Sequence, residues 1–241
     1  MKNAAAAELL AIKAVFVLEN NYVYRVRYSR GADVRYVSHL DILKLFDRAC
    51  RRADLPVSYS AGFNPHPEFV FGMPLPVGVT SEAEYVDIKL YEKISNTDMV
   101  RRLNDALPLA VRIMESKHLP EKSPNIMKSV VASKYLLKID FSENDDDLQA
   151  VLGKINEELS ENRPLVVLKR TKSGTRETDI RPMINSVEFV KGDNDMAEFV
   201  VVTAAGNVTN LRPELAVNSL CDVCGINCKI KSIHRLELIN S

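Results

Sequence analysis

"YVYRVRYS" (Tyr22–Ser29) is followed, after Gly31, by "SHLDILKLFDRACRRAD" (Ser38–Asp54). The first stretch alternates and is rich in β-formers, so it reads as a strand. The second places Leu43, Phe46, Cys50 and Ala53 at helical spacing. Ser38 is a good N-cap, and Asp41, three residues on, suits the capping-box position and the positive end of the helix. The helix should stop before Leu55-Pro56, because the residue ahead of a proline is pushed out of the helical region. "EFVFGM" and "EYVDIKLYE" then read as two strands joined by the Pro/Gly-rich "PLPVGVTSEA". "SNTDMVRRLNDAL" is a second helix with Ser95 or Asn96 near its cap, and "VRIMESKHL" a closing strand. The order β-α-β-β-α-β is that of a ferredoxin-like unit, in which two helices cover one face of an antiparallel sheet.

The order then repeats. "LPEKSPNIMK" (Leu119–Lys128) carries two prolines and reads as a linker. "KYLLKIDF" is a strand, and "DDDLQAVLGKINEEL" a helix with Leu148, Val151, Leu152, Ile155 and Leu159 on one face. "PLVVLKR" and "AEFVVVTA" are strands, with a further strand around Ile184 to Val190. "RPELAVNSLCDVCG" is a helix with Pro213 near its first position and Gly225 at its end, and "KIKSIHRLELI" closes the chain. The fold class is therefore α+β, with two ferredoxin-like units in tandem. The expected division is a leader or short helix over residues 1–20, a first unit over 21–120 and a second over 121–241.

Composition suits that reading. The chain has 241 residues, enough for a sizeable core, with 46% hydrophobic and 27% charged residues and no tryptophan. Formal net charge is zero, so an anionic partner would have to be held by local clusters of Lys and Arg. The alanine run at the start is interrupted by Glu8 and Lys13 and lacks a clean cleavage site, and no stretch is long and apolar enough to span a bilayer. This reads as a cytoplasmic protein with no membrane partner. Cys50, Cys221, Cys224 and Cys228 do not form the spread framework of a disulfide-built secreted protein.

The first half carries a denser signal than its fold requires. It contains Ser38-His39-Leu40-Asp41, the Arg48–Ala53 run, Tyr59-Ser60 followed by Gly62-Phe63-Asn64-Pro65-His66-Pro67, then Pro74-Leu75-Pro76 with Gly78, and Ser81-Glu82 with Glu84. This string, from about Tyr24 to Leu90, resembles the radical-SAM-linked protein family. The second half resembles it through "KRTKSGTRETDIRPMI" and the closing "IHRLEL". The resemblance implies an association with a radical SAM protein, and no catalytic residue.

Several constellations bear on function. The two X-Pro units make "FNPHP" stiff, and Gly62 allows a backbone other residues avoid. Such a loop can present Phe63, Asn64 and His66 in fixed positions, or can serve as a rigid connection with Phe63 plugging the core. Lys44, Arg48 and Arg52 fall at i, i+4 and i+8 on the first helix, a stripe that can follow a phosphate backbone or simply face water. His39, at the first helical position, and His66 could form an acid–base pair, though nothing in the sequence brings them together. Lys169, Arg170, Lys172 and Arg176 surround Gly174 in a basic hairpin of the kind that contacts RNA, and also of the kind that is merely solvated. Cys221, Cys224, Cys228 and His234 have the chemistry of a zinc set, but the following strand should carry His234 away, so no metal is expected. No phosphate-loop, dinucleotide, nucleophile-elbow or HExxH signature is present, and no cofactor is implied.

These observations favour a non-catalytic accessory protein for a radical SAM enzyme. Its binding surface would comprise Ser38, His39, Arg48, Arg52, Gly62, Phe63, Asn64 and His66, with a second basic surface at Lys169, Arg170, Lys172 and Arg176. The alternative is an RNA-binding or RNA-processing protein; a third reading is an enzyme using His39 and His66.

Overall fold

The computed structural model describes residues 22–171, 174–206 and 209–240. The leader or short helix read over residues 1–20 lies outside the described residues, as does Lys172. The chain divides into two compact units: the residues up to Val77 with Ala83–Met127, and Gly78–Glu82 with the chain from Lys128 onward.

The first unit runs β1 (Tyr22–Arg30), α1 (His39–Arg52), β2 (Phe69–Phe71), β3 (Thr80–Leu90), α2 (Asn96–Ala106) and β4 (Val111–His118). Its strand order is β4-β1-β3-β2, the ferredoxin-like order. Alternation in β1 sends Tyr24, Val26, Tyr28 and Arg30 inward. Tyr24, Val26 and Tyr28 join a core with Ile42, Phe46, Ala49 and Cys50 of α1 and Met99 and Leu103 of α2, while Arg30 donates to the Val34 and Val37 carbonyls. Phe46 and Cys50 are buried as the spacing implied, joined by Ile42 and Ala49, whereas Leu43 and Ala53 are only partly covered. Both helices start on a serine, Ser38 and Ser95, whose hydroxyl accepts the amide of the residue three on.

The segment read as a linker is built into this unit. Asp87 of β3, almost fully buried, accepts from Arg25 Nε and Nη2 at 2.8 and 2.9 Å and from the Ile126 amide at 2.9 Å. Arg25 also donates to the Pro124 carbonyl at 2.8 Å. One buried ion pair therefore fixes the path from Leu119 to the short helix α3 (Ile126–Ser129).

The second unit runs β5 (Val130–Asp140), α4 (Leu148–Glu161), β6 (Val166–Thr171), β7 (Gly174–Asp179), β8 (Ile184–Asp193), β9 (Met196–Ala204), α5 (Pro213–Val223) and β10 (Lys229–Asn240). Its strand order, β10-β5-β9-β8, is again ferredoxin-like. Thr80 and Ser81 pair with His234 and Arg235 of β10, which places Gly78–Glu82 in this unit. "PLVVLKR" is a strand, as expected, but it pairs only with β7 in a separate two-stranded ribbon. The second sheet strand is instead β8, the further strand read around Ile184. The ribbon is held at its base: Val167 packs on Leu165, Ile180, Leu211, Ala216 and Leu220. Asp179 Oδ1 also accepts the amides of Leu165 (2.9 Å) and Arg181 (3.0 Å).

Candidate functional site

The connection from α1 to β2 makes a loop closed by its own side chains. Tyr59 bridges Pro67 in antiparallel fashion. Within that bridge the Ser60 amide donates to the His66 carbonyl at 2.9 Å, and Ser60 Oγ accepts the His66 amide at 3.1 Å. Ser60 Oγ also lies 2.8 Å from His66 Nδ1. Serine and histidine thus staple the two ends, and the prolines stiffen the span between them. Gly62 has φ +125°, a backbone for which a side chain would be strained. At the tip Phe63 is fully exposed, at 106%. The reading in which Phe63 plugs the core is overturned.

The loop is braced on α1. The Tyr59 hydroxyl donates to Asp47 Oδ1 at 3.0 Å, and Arg51 Nε donates to Asp47 Oδ1 at 3.1 Å and to Tyr59 oxygen at 3.3 Å. Arg51 also sits over the Tyr59 ring, 5.7 Å from its centroid. Partial burial raises the Tyr59 phenol, and its hydrogen bond to Tyr59 raises Arg51. Tyr59 stands in the motif string, but it, Asp47 and Arg51 are not among the binding residues expected from the sequence. The i, i+4 pairing of Asp47 and Arg51 was readable, but nothing local announces the tyrosine that joins them.

The other candidates take separate positions. Arg48 is exposed on α1, whereas Arg52 Nη2 donates to the Ala106 carbonyl at 2.6 Å, at the end of α2. Arg102 returns the favour, donating to Ala53 at 2.8 Å and to Asp54. Arg52 therefore joins two helix ends as well as extending the stripe. Ser38 caps α1. His39 packs edge-on against Phe71, ring centroids 5.4 Å apart. Burial, then the Arg30 charge, lower its pKa. His39 and His66 have different partners, Phe71 and Ser60. Asn64 is exposed beside Phe63.

Below the loop a groove of about 370 Å³ opens in the same unit. It is lined by His66, Glu68, Phe69, Lys89, Leu119 and Glu121, among others. Lys89 pairs with Glu68 at 2.8 Å.

In the second unit, Lys169 of β6 stands directly opposite Arg176 of β7, and Arg170 opposite Thr175. His234 and Cys224 are turned to other partners, so the four residues do not converge on one point. His234 Nδ1 lies 2.8 Å from Thr80 Oγ1, while Cys224 Sγ donates to the Lys154 carbonyl at 3.7 Å. Among the described residues, no group of three or more His, Cys, Asp or Glu is arranged to hold a metal ion. Among them too, no helix is long and apolar enough to cross a membrane.

Comparison with known proteins adds a family. No curated protein matches the sequence. A crystal structure of a Cbf5-Nop10-Gar1 complex is similar with TM-score 0.47 and 10% identity, over 89% of this chain and 47% of that one. A crystal structure of the archaeal box H/ACA sRNP Nop10-Cbf5 complex is similar with TM-score 0.44 and 11% identity, over 89% and 46%. The chain thus spans about half the length of those chains, and such scores establish no relationship. The sequence itself is matched by a family over residues 23–213, most of the chain: the protein belongs to DUF2344, uncharacterised proteins conserved in bacteria.

Proposed function

We propose that the protein is a non-catalytic binding protein, which presents the Tyr59–Pro67 loop and the exposed face of α1 to a partner protein, and that this partner is a radical SAM enzyme. The observation that carries the reading is Phe63. A large apolar ring stands fully in water at the tip of a loop that is closed by Ser60 and His66 and braced by Tyr59. A preorganised aromatic anchor is what protein interfaces use, because little further ordering is needed on binding. Gly62 shapes the tip; Asn64 and His66 supply polar groups around the ring, and Arg48 an exposed charge on the adjacent helix. Ser38 and His39 support the site by starting that helix. The choice of a radical SAM partner rests on the motif resemblance of the first half.

The test is capture from native lysate by the tagged full chain, with and without nuclease, beside Phe63→Ala. The expected result is a radical SAM protein, identified by mass spectrometry, retained through nuclease and lost with Phe63→Ala. Equal capture by the variant would overturn the reading.

A second reading, RNA binding, is favoured by one observation. Like charges directly opposite on a ribbon are destabilising, yet Lys169 faces Arg176. An anionic partner would offset that cost. Loss of all captured material on nuclease treatment, with Lys169→Ala and Arg176→Ala weakening binding in a salt-dependent way, would select this reading.

A further inference from the structure

The end of α5 turns the chain back on itself. The Gly225 amide donates to the Asp222 carbonyl at 3.1 Å and the Ile226 amide to the Cys221 carbonyl at 2.9 Å. These are the two bonds of a Schellman cap, with Gly225 at φ +66°. Buried Ile226 holds the returning chain down. The reversal returns Cys228 to the helix face that carries Asn218 and Cys221, three residues apart, and sets its Sγ 3.6 Å from Asn218 Oδ1. Cys221 is buried; Cys228 is partly open to solvent.

We propose that Cys221 and Cys228 form a peroxide-reactive dithiol that closes to a disulfide, with Cys228 as the attacking sulfur. Cys228 is the member of the pair that a small oxidant can reach. Hydrogen bonding from the neighbouring Cys221 thiol favours the Cys228 thiolate and lowers its pKa, while the same interaction, then burial, drives Cys221 the other way. Cys228 also contacts the Asn218 carboxamide at 3.6 Å, and a half-turn of that amide offers a thiolate an N–H donor. Cys224 is turned to the Lys154 carbonyl and its thiol is raised by burial, so it stands outside the pair.

The chemistry balances with a peroxide as oxidant. The Cys228 thiolate attacks one peroxide oxygen and the O–O bond breaks. The sulfur becomes a sulfenic acid, and the departing hydroxide takes up a proton to leave as water. The Cys221 sulfur then attacks the Cys228 sulfur, the S–O bond breaks, and the hydroxyl leaves as water with the Cys221 proton. Both sulfurs are oxidised, hydrogen peroxide is reduced to two waters, and the last turn of α5 is tied to the start of β10.

The experiment uses the full chain, reduced, freed of reductant and treated with hydrogen peroxide. Proteolytic cleavage before Asp222 separates Cys221 from Cys228, so the two fragments stay joined only through a disulfide. Joined fragments, separated by dithiothreitol, are expected for the wild type and for Cys224→Ser, and separate fragments for Cys228→Ser. Cys221→Ser is expected to leave a sulfenic acid at position 228 that dimedone traps. If the buried Cys221→Ser variant fails to fold, the two less buried variants still decide. Fragments that remain joined in Cys228→Ser, that separate in Cys224→Ser, or that never join in the wild type overturn the proposal.

Discussion

The two units share an order of elements and a strand order, and each spends its extra chain in the same place, between the first helix and the second sheet strand. In the first unit that connection is the loop before β2; in the second it is the β6–β7 ribbon before β8. The means of support differ. The loop has no ladder, so side chains hold it: Ser60 to His66 across its neck, Tyr59 to Asp47 and Arg51 at its foot. The ribbon has its own backbone ladder, and side chains fix only its base. There Glu158 of α4, nine-tenths buried or more, accepts from Arg163 and pairs with buried Arg181, which also donates to the Glu158 carbonyl. A side-chain-held loop can place one aromatic ring; a ladder-held ribbon presents rows of residues. The same connection therefore yields a point anchor in one unit and a strip in the other.

Each unit also has one buried carboxylate that organises a connection, Asp87 in the first and Glu158 in the second. Removing either leaves arginine without its counter-ion: Arg25, mostly buried, or Arg181, almost wholly so. Asp87→Ala and Glu158→Ala are each expected to destabilise by about 3–5 kcal/mol, the cost of breaking a buried pair from one side. Urea unfolding followed by circular dichroism measures it. If Glu158→Ala loses less than about 1 kcal/mol, the second connection is held by its ladder alone, and the parallel between the units fails.

What the sequence made legible follows from how local each signal is. The alternation of β1 and the caps of α1 and α2 depend on neighbours: Ser38 was found where it acts, and of the two candidates Ser95 and Asn96 the cap is Ser95. Strand character in "PLVVLKR" is local too, and it was read correctly. Its partner is not local. Nothing near Val166 distinguishes pairing with Gly174–Asp179 from pairing within the sheet, so the ribbon was merged into the unit. Glu158 sat in a helix as an ordinary charge, because the arginine that buries it lies 23 residues away. In the candidate site the stiff loop was legible from its prolines, and its direction was not: an exposed Phe63 and a core Phe63 need the same nine letters. Tyr59, which settles the loop's position, reads as one more aromatic.

Helix starts give the next smaller effect. Ser38 Oγ accepts the Asp41 amide at 3.2 Å, and Asp147 Oδ1 accepts the Ala150 amide at 2.9 Å, so both first helices are capped in the same manner. Ser38→Ala and Asp147→Ala should each cost about 1 kcal/mol. Thermal unfolding with matched controls compares them, and a difference of more than about twofold would mean that one unit relies on its cap more than the other.

His39 distinguishes the units by pH. Its pKa is lowered in the folded protein, chiefly by burial against the first unit's core. The unfolded state therefore binds a proton more readily, and the stability contributed by neutral His39 is complete above the unfolded value of about 6.5. It falls as pH drops through that value toward the folded one. Unfolding transitions between pH 7.5 and 5.5 should show wild-type stability declining, and His39→Gln declining less. Equal slopes for the two proteins would assign the dependence elsewhere.

The smallest effect on stability should come from the residues that stand farthest out. Phe63 on the loop and Leu168 on the ribbon are both large, apolar and exposed. Neither belongs to the core of its unit, so truncation removes little buried area. Phe63→Ala and Leu168→Ala should each change stability by less than about 0.5 kcal/mol. They part in binding. If the side-chain-held loop is the anchor, Phe63→Ala loses the captured partner while Leu168→Ala keeps it, at unchanged stability. Should Leu168→Ala alone lose it, the ribbon is the interface and the loop's exposed ring must be explained some other way. A stability loss above about 1 kcal/mol for Phe63→Ala would show that the ring packs on the protein itself, and the contrast between point anchor and strip would disappear.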